Sequence, residues 1–169
     1  SVYGIIQSYN GYITVKSEEQ KGTRVRVYLP ASDKASSLAK TTKESMDQGK
    51  GTILLVDDDL SLLQVGSEML TALGYEVLPA DNGQDAIDTY TAHRESIDLV
   101  ILDMIMPGMT GGEVFMRLKK VDPNIRAILS SGYSLDDQGQ KIMDSGFRGY
   151  LQKPFGIKDL SIKIKEVLA

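Results

Sequence analysis

The chain has 169 residues, 41% of them hydrophobic, enough for one ordinary domain with a real core plus an appendage. It carries 19 basic and 23 acidic residues and no cysteine, which excludes disulfides and thiolate metal sites and fits a reducing compartment. No run approaches the roughly 20 apolar residues of a membrane span and no signal peptide is visible. The expectation is a cytoplasmic chain without membrane contact of its own, any anchor of the parent lying upstream; the opening SVYGIIQSYN, without an initiator Met, reads as a piece of a longer protein.

Charge is unevenly spread. Residues 1–51 carry 8 Lys/Arg against 5 Asp/Glu, whereas residues 52–169 carry 11 against 18. A nucleic-acid binder normally shows a basic stripe, so the acidic larger part argues against that partner.

In chain order, Val2, Ile5, Ile6 and Tyr9 predict a turn and a half of helix, stopped by Asn10-Gly11. Residues 12–16 and 23–29 alternate apolar and polar as half-buried strands do, with residues 17–22 as the hairpin loop. Residues 1–30 are too few to bury their own apolar faces. They are expected to stay unfolded, to dock elsewhere on the chain, or to pair with a second copy as a homodimer. Residues 31–51, rich in Ala, Ser, Thr, Lys and Gly, read as a linker.

From residue 52 onward, apolar runs recur at 53–56, 76–79, 99–102, 127–129 and 150–151. Amphipathic stretches at 60–73, 84–93, 112–120, 135–145 and 157–168 separate and follow them. Fivefold strand–helix alternation predicts an α/β domain over 52–169, a doubly wound five-stranded parallel sheet with helices on both faces. The continuous apolar runs at 53–56 and 99–102 suit central strands buried on both sides.

In such a sheet, ligands sit beyond the carboxyl ends of the strands. Asp57, Asp58 and Asp59 follow the first run, Asp103 the third, Ser130 and Ser131 the fourth, and Lys153 and Pro154 the fifth. Two carboxylates 5 Å apart repel by roughly 3 kcal/mol at an effective dielectric of about 20. Such a cluster raises a carboxyl pKa, pairs with Lys153, or takes a divalent cation. Oxygen-only ligands favour Mg²⁺ over zinc or copper. A carboxylate beside such a cation and an ammonium is a nucleophile toward a phosphoryl group.

The segments ILLVDDD (53–59), DLVILDMIMPGMTGGE (98–113), AILSSGY (127–133) and GYLQKPF (149–155) resemble the response-regulator receiver domain across residues 52–169. The resemblance implies a flavodoxin-like strand order 2-1-3-4-5. It implies Asp103 as phosphoacceptor and Mg²⁺ held by Asp58 and Asp103 directly, Asp57 through water, and the Ile105 backbone carbonyl. It further implies Ser130 as the switch hydroxyl, Tyr150 as a rotating aromatic, Lys153 as the ion-pairing lysine and a cis peptide before Pro154. Ile105 and Gly132 carry no group to position water, which hints at slow self-dephosphorylation. Asp59 is given a minor role and a helix-capping alternative.

Residues 1–30, with K-G-T before a last strand ending in Leu-Pro, resemble the end of a histidine-kinase ATP-binding domain. Kinase tail, linker and receiver follow one another in hybrid sensor kinases. The implied partners are a phosphohistidine donor and a histidine phosphotransfer protein. The kinase's nucleotide boxes and histidine region are absent, so this chain is expected to accept phosphate without being a kinase. His93 lies at a helix end without a kinase histidine-box context and reads as a surface residue. Met104, Met106, Met109 and Met116 read as packing.

Two rivals remain. One is a Mg²⁺ phosphohydrolase working through an aspartyl-phosphate, disfavoured because Ile105 stands where a general-acid aspartate is usual. The other is a degenerate receiver that only binds, disfavoured by the complete acid, hydroxyl and lysine set.

Overall fold

The computed structural model describes residue 6 and residues 11–19, 21–30, 49–132 and 143–169. The chain forms two compact units, Ser1–Glu44 and Ser45–Ala169. The predicted helix over 2–9, the linker over 31–48 and most of the predicted helix over 135–145 lie outside the described residues. Met143 and Asp144 at its end are helical.

The first unit contains the antiparallel pair β1 (Tyr12–Glu18) and β2 (Gly22–Tyr28). Register pairs Ile13 with Val27 and Val15 with Val25, so these four share one face; Lys16 with Arg24 and Thr14 with Arg26 share the other. The turn is tighter than the sequence suggests. Ser17 and Thr23 hydroxyls meet at 2.8 Å across the strands, and Gly22, at φ 94°, turns the chain. Val15, Val25 and Val27 are exposed.

The second unit runs β3 (Thr52–Val56), α1 (Leu60–Ala72), β4 (Glu76–Ala80), α2 (Gly83–His93), β5 (Ile97–Asp103), α3 (Gly111–Val121), β6 (Ala127–Ser131), β7 (Gly149–Gln152) and α4 (Ile157–Leu168). The sheet is parallel, in the order β4-β3-β5-β6-β7, the predicted 2-1-3-4-5.

Alternation along the central strands builds two cores. Ile53, Leu55, Leu99, Ile101, Ile128 and Leu151 meet Leu63 and Leu70 of α1 and Leu160 and Ile164 of α4. Leu54, Val56, Val100, Leu102 and Leu129 meet Tyr90 of α2 and Phe115 and Leu118 of α3. Each fully buried leucine contributes about 2 kcal/mol, so the sheet is fixed in register by its two apolar faces.

Local signals start the helices. Asp59 caps α1, accepting from Ser61 N at 2.9 Å and Leu62 N at 3.3 Å. Asn82 caps α2, accepting from Gln84 N and Asp85 N. Thr110 and Glu113 form a reciprocal box at the start of α3.

Candidate functional site at the carboxyl edge of the sheet

β3 and β5 are neighbours, with Val56 beside Leu102, so the residues ending the two strands arrive together. Asp103 closes β5 and is 7% exposed; Asp57, just past β3, is 5% exposed, and Asp58 is exposed. Asp57 N donates to Ala80 O at 3.2 Å, and Asp57 Oδ1 accepts from Asp59 N at 3.1 Å. Ile105 N donates to Asp103 Oδ2 at 3.1 Å.

Lys153 follows β7. Its backbone N–H donates to Ser131 O at 2.7 Å, and the Lys153–Pro154 peptide is cis, as expected. Its ammonium donates to Asp57 Oδ2 and to Asp103 Oδ1, each at 2.6 Å. The loop after Asp103 is tied to α3 as well: Gly111 N donates to Met104 O at 3.1 Å. A Cβ at Gly111 would stand 2.2 Å from Asp103 O, so only glycine fits.

Burial pushes the Asp103 carboxyl above its ordinary pKa. The Lys153 hydrogen bond and charge oppose that, the Asp57 charge adds to it, and the Ile105 N–H opposes it. Burial pulls the Lys153 ammonium down, but its hydrogen bonds and charges with Asp103 and Asp57 outweigh that and leave its pKa raised. Burial thus dominates the Asp103 shift, whereas the two neighbouring carboxylates dominate that of Lys153.

Asp57, Asp58 and Asp103 each offer a carboxylate oxygen within 4.8 Å of the others. Three hard oxygens that close, with one ammonium among them, leave a surplus of negative charge and suit a divalent cation. These three carboxylates could hold a metal ion.

The strand-end hydroxyls divide between the two faces. Ser130 follows Ile128 onto the α1/α4 face, the face of Leu99 and Ile101 and hence of Asp103. It is 3% exposed and donates to Leu102 O at a long 3.4 Å. Ser131, 2% exposed, follows Leu129 onto the opposite face, where Tyr150 packs. Ser130, expected as the switch hydroxyl, lies on the Asp103 face, and Ser131 lies on the face of Tyr150, the expected rotating aromatic. Period-two counting back from the apolar residues of 127–129 was the signal that could have told the two serines apart.

Beside Lys153 a cavity of about 460 Å³ opens between α1 and the segment leading into α4. Leu62, Val65, Met69 and Phe155 line it together with Asp57, Ser130 and Lys153. His93 is exposed, and the predicted Met packing is seen at Met106, buried in the α2/α3 core, with Met104 and Met109 against it, but not at Met116, which is exposed.

Comparison with known proteins agrees with this architecture. Residues 53–165 match the family described as response regulator receiver domain. The sensor kinase CckA of Brucella abortus (strain 2308) is 34% identical over 99% of this chain, which spans 19% of that kinase. The sporulation initiation phosphotransferase F of Bacillus subtilis (strain 168) is 37% identical, covering 69% of this chain and 92% of its own length. A receiver domain structure from Clostridium thermocellum superposes with a TM-score of 0.67 at 34% identity, covering 70% of this chain and 94% of its own. Sheet order, acidic strand ends and bridging lysine thus coincide with a family match over most of the chain, and the chain belongs to the response regulator receiver family of two-component phosphorelays.

Proposed function

We propose that Asp103 is the phosphoacceptor and takes its phosphoryl group from a phosphohistidine of a partner. The observation that carries this reading is the Lys153 ammonium bridging Asp103 and Asp57 at 2.6 Å each. One Asp103 oxygen attacks phosphorus, the P–N bond to the donor imidazole breaks, and its electron pair stays on the imidazole nitrogen, which takes up a proton. Lys153 follows the charge that develops on the phosphoryl oxygens. Ile105 N–H holds the second Asp103 oxygen and orients the carboxylate.

Asp58 and Asp103, with Asp57 through water and the Ile105 carbonyl, are the residues to hold Mg²⁺. When bound, that ion supplies charge neutralisation of the phosphoryl oxygens. Ser131 is the hydroxyl to hydrogen-bond the transferred phosphoryl group and couple it to Tyr150, the role first assigned to Ser130. The lack of a water-positioning group at Ile105, whose side chain is 56% exposed, supports a long-lived acyl phosphate.

The chain acts stoichiometrically, as an acceptor and not as a phosphatase or kinase. Its parent is a hybrid sensor kinase, with residues 1–30 as the end of the ATP-binding domain, 31–51 as linker and 52–169 as receiver. Similarity to a sensor kinase over 99% of this chain and 19% of that kinase supports that order. The apolar cavity wall of Leu62, Val65, Met69 and Phe155 supports docking of the donor and of a histidine phosphotransfer protein beside Lys153. A homodimer through the exposed valines of the hairpin is a further reading, tested by sedimentation of residues 1–169 against 51–169. The site is assigned to the cytoplasm, where such donors work.

Incubation with a phosphorylated donor domain and Mg²⁺, followed by intact mass, tests the central reading. Wild type gains one phosphoryl group and Asp103→Asn gains none. Continuous phosphate release from small phosphomonoesters would favour a hydrolase, and no Asp103-dependent mass gain would leave a binding module.

A further inference from the structure

Ser130 is a buried hydroxyl to which the proposed function gives no role. β6 lies between β5 and β7, and register sets Ser130 between Asp103 on one side and Leu151 on the other. Lys153 is two residues past Leu151 and therefore on the same face. To reach Asp103, its side chain crosses β6 at the level of Ser130. Ser130, Lys153 and Asp57 line the same cavity.

The hydrogen-bond inventory points the same way. An ammonium has three N–H groups. Two of them go to Asp57 Oδ2 and Asp103 Oδ1. The Ser130 hydroxyl donates its hydrogen to Leu102 O, which leaves its oxygen lone pairs to accept. Asp57 serves two purposes that compete. A carboxylate turned toward a divalent cation is a poorer acceptor for an ammonium, because the two cations repel across it.

Resting on the proposed function, we propose that Ser130 is a positioning residue: its Oγ accepts the Lys153 N–H released when Asp57 turns to a divalent cation. Lys153 then stays over Asp103 when the site is charged. An apolar residue at this position would leave the ammonium free to swing into the cavity mouth.

The test follows the Lys153 ammonium by ¹H–¹⁵N correlation in the full chain, with Mg²⁺ alone and no phosphodonor. Ser130→Thr keeps a hydroxyl and Ser130→Ala removes it. With Mg²⁺, wild type and Ser130→Thr retain a slowly exchanging Lys153 signal, and Ser130→Ala loses it to exchange with water. Uptake of phosphoryl from acetyl phosphate drops about tenfold in Ser130→Ala, the value of one hydrogen bond to a charged group, and recovers in Ser130→Thr. A Lys153 signal in Ser130→Ala that matches wild type overturns the proposal, as does equal loss in both variants, which would assign the effect to packing. Failure of wild type to take up phosphoryl at all would sink the proposed function, while the ammonium comparison would still decide the role of Ser130.

Discussion

Lys153 holds Asp103 through an N–H···O contact of 2.6 Å and reaches Asp57 at the same distance. One lysine thus offsets the charge of two strand-end carboxylates. Replacement Lys153→Met removes the charge proposed to follow the phosphoryl oxygens. Uptake measured by intact mass is expected to fall about 100-fold. Mg²⁺ affinity by calorimetry is expected to rise, since Asp57 no longer has a competing ammonium. Unchanged uptake would reduce Lys153 to a purely structural ion pair.

Asp103 gives a pH signature with a definite sign. Its folded pKa is raised, mainly by burial, above the unfolded value. The stability it contributes is therefore complete below the ordinary carboxylate pKa near 3.9 and is lost as pH rises through the raised value. Asp103→Asn does not titrate. Without Mg²⁺, its melting temperature is expected to match wild type at about pH 3.5 and to exceed it at pH 7. A variant less stable than wild type at pH 7 would show that the Lys153 pair outweighs the burial cost.

Metal binding has its own readout. With Mg²⁺ at 100 times its dissociation constant, wild type gains about 2.7 kcal/mol of stability against unfolding. Asp58→Asn keeps the fold, since Asp58 is exposed, and is expected to lose most of that gain. An equal Mg²⁺ shift in both proteins would remove Asp58 from the ligand set.

Ser131 and Tyr150 share the α2/α3 face. With beryllium fluoride and Mg²⁺ as the phosphoryl mimic, the Tyr150 ring resonances are expected to shift in wild type. They are expected to stay in place in Ser131→Ala, whereas Ser130→Ala retains the shift. The reverse pattern would return the switch to Ser130.

Most of the second unit was legible because its signals are redundant. The runs ILLV and LVIL sit in strands buried on both sides, where nothing but an apolar sequence fits. Asp57, Asp103 and Lys153 were legible because strand ends in a parallel sheet converge whatever the helices do. The face each serine takes was not read, since it depends on pleat phase, and two adjacent hydroxyls look alike in a string of letters. Lys153 reaching both carboxylates was not legible either, since pairing with Asp57 as well as Asp103 depends on side-chain reach across β6. The exposed valines of β1 and β2 follow from a two-stranded piece having one face more than it can cover.

Gly111 offers no chemistry, yet its backbone lies so close to the Asp103 carbonyl that any side chain would push the two apart. The start of α3 and Asp103 are therefore held together as one corner. A screen of substitutions across the chain should find position 111 as intolerant as position 103. The reasons would differ: at 103 the carboxylate is lost, whereas at 111 it is intact but misplaced, and such variants should still bind divalent cation while failing to hold phosphate.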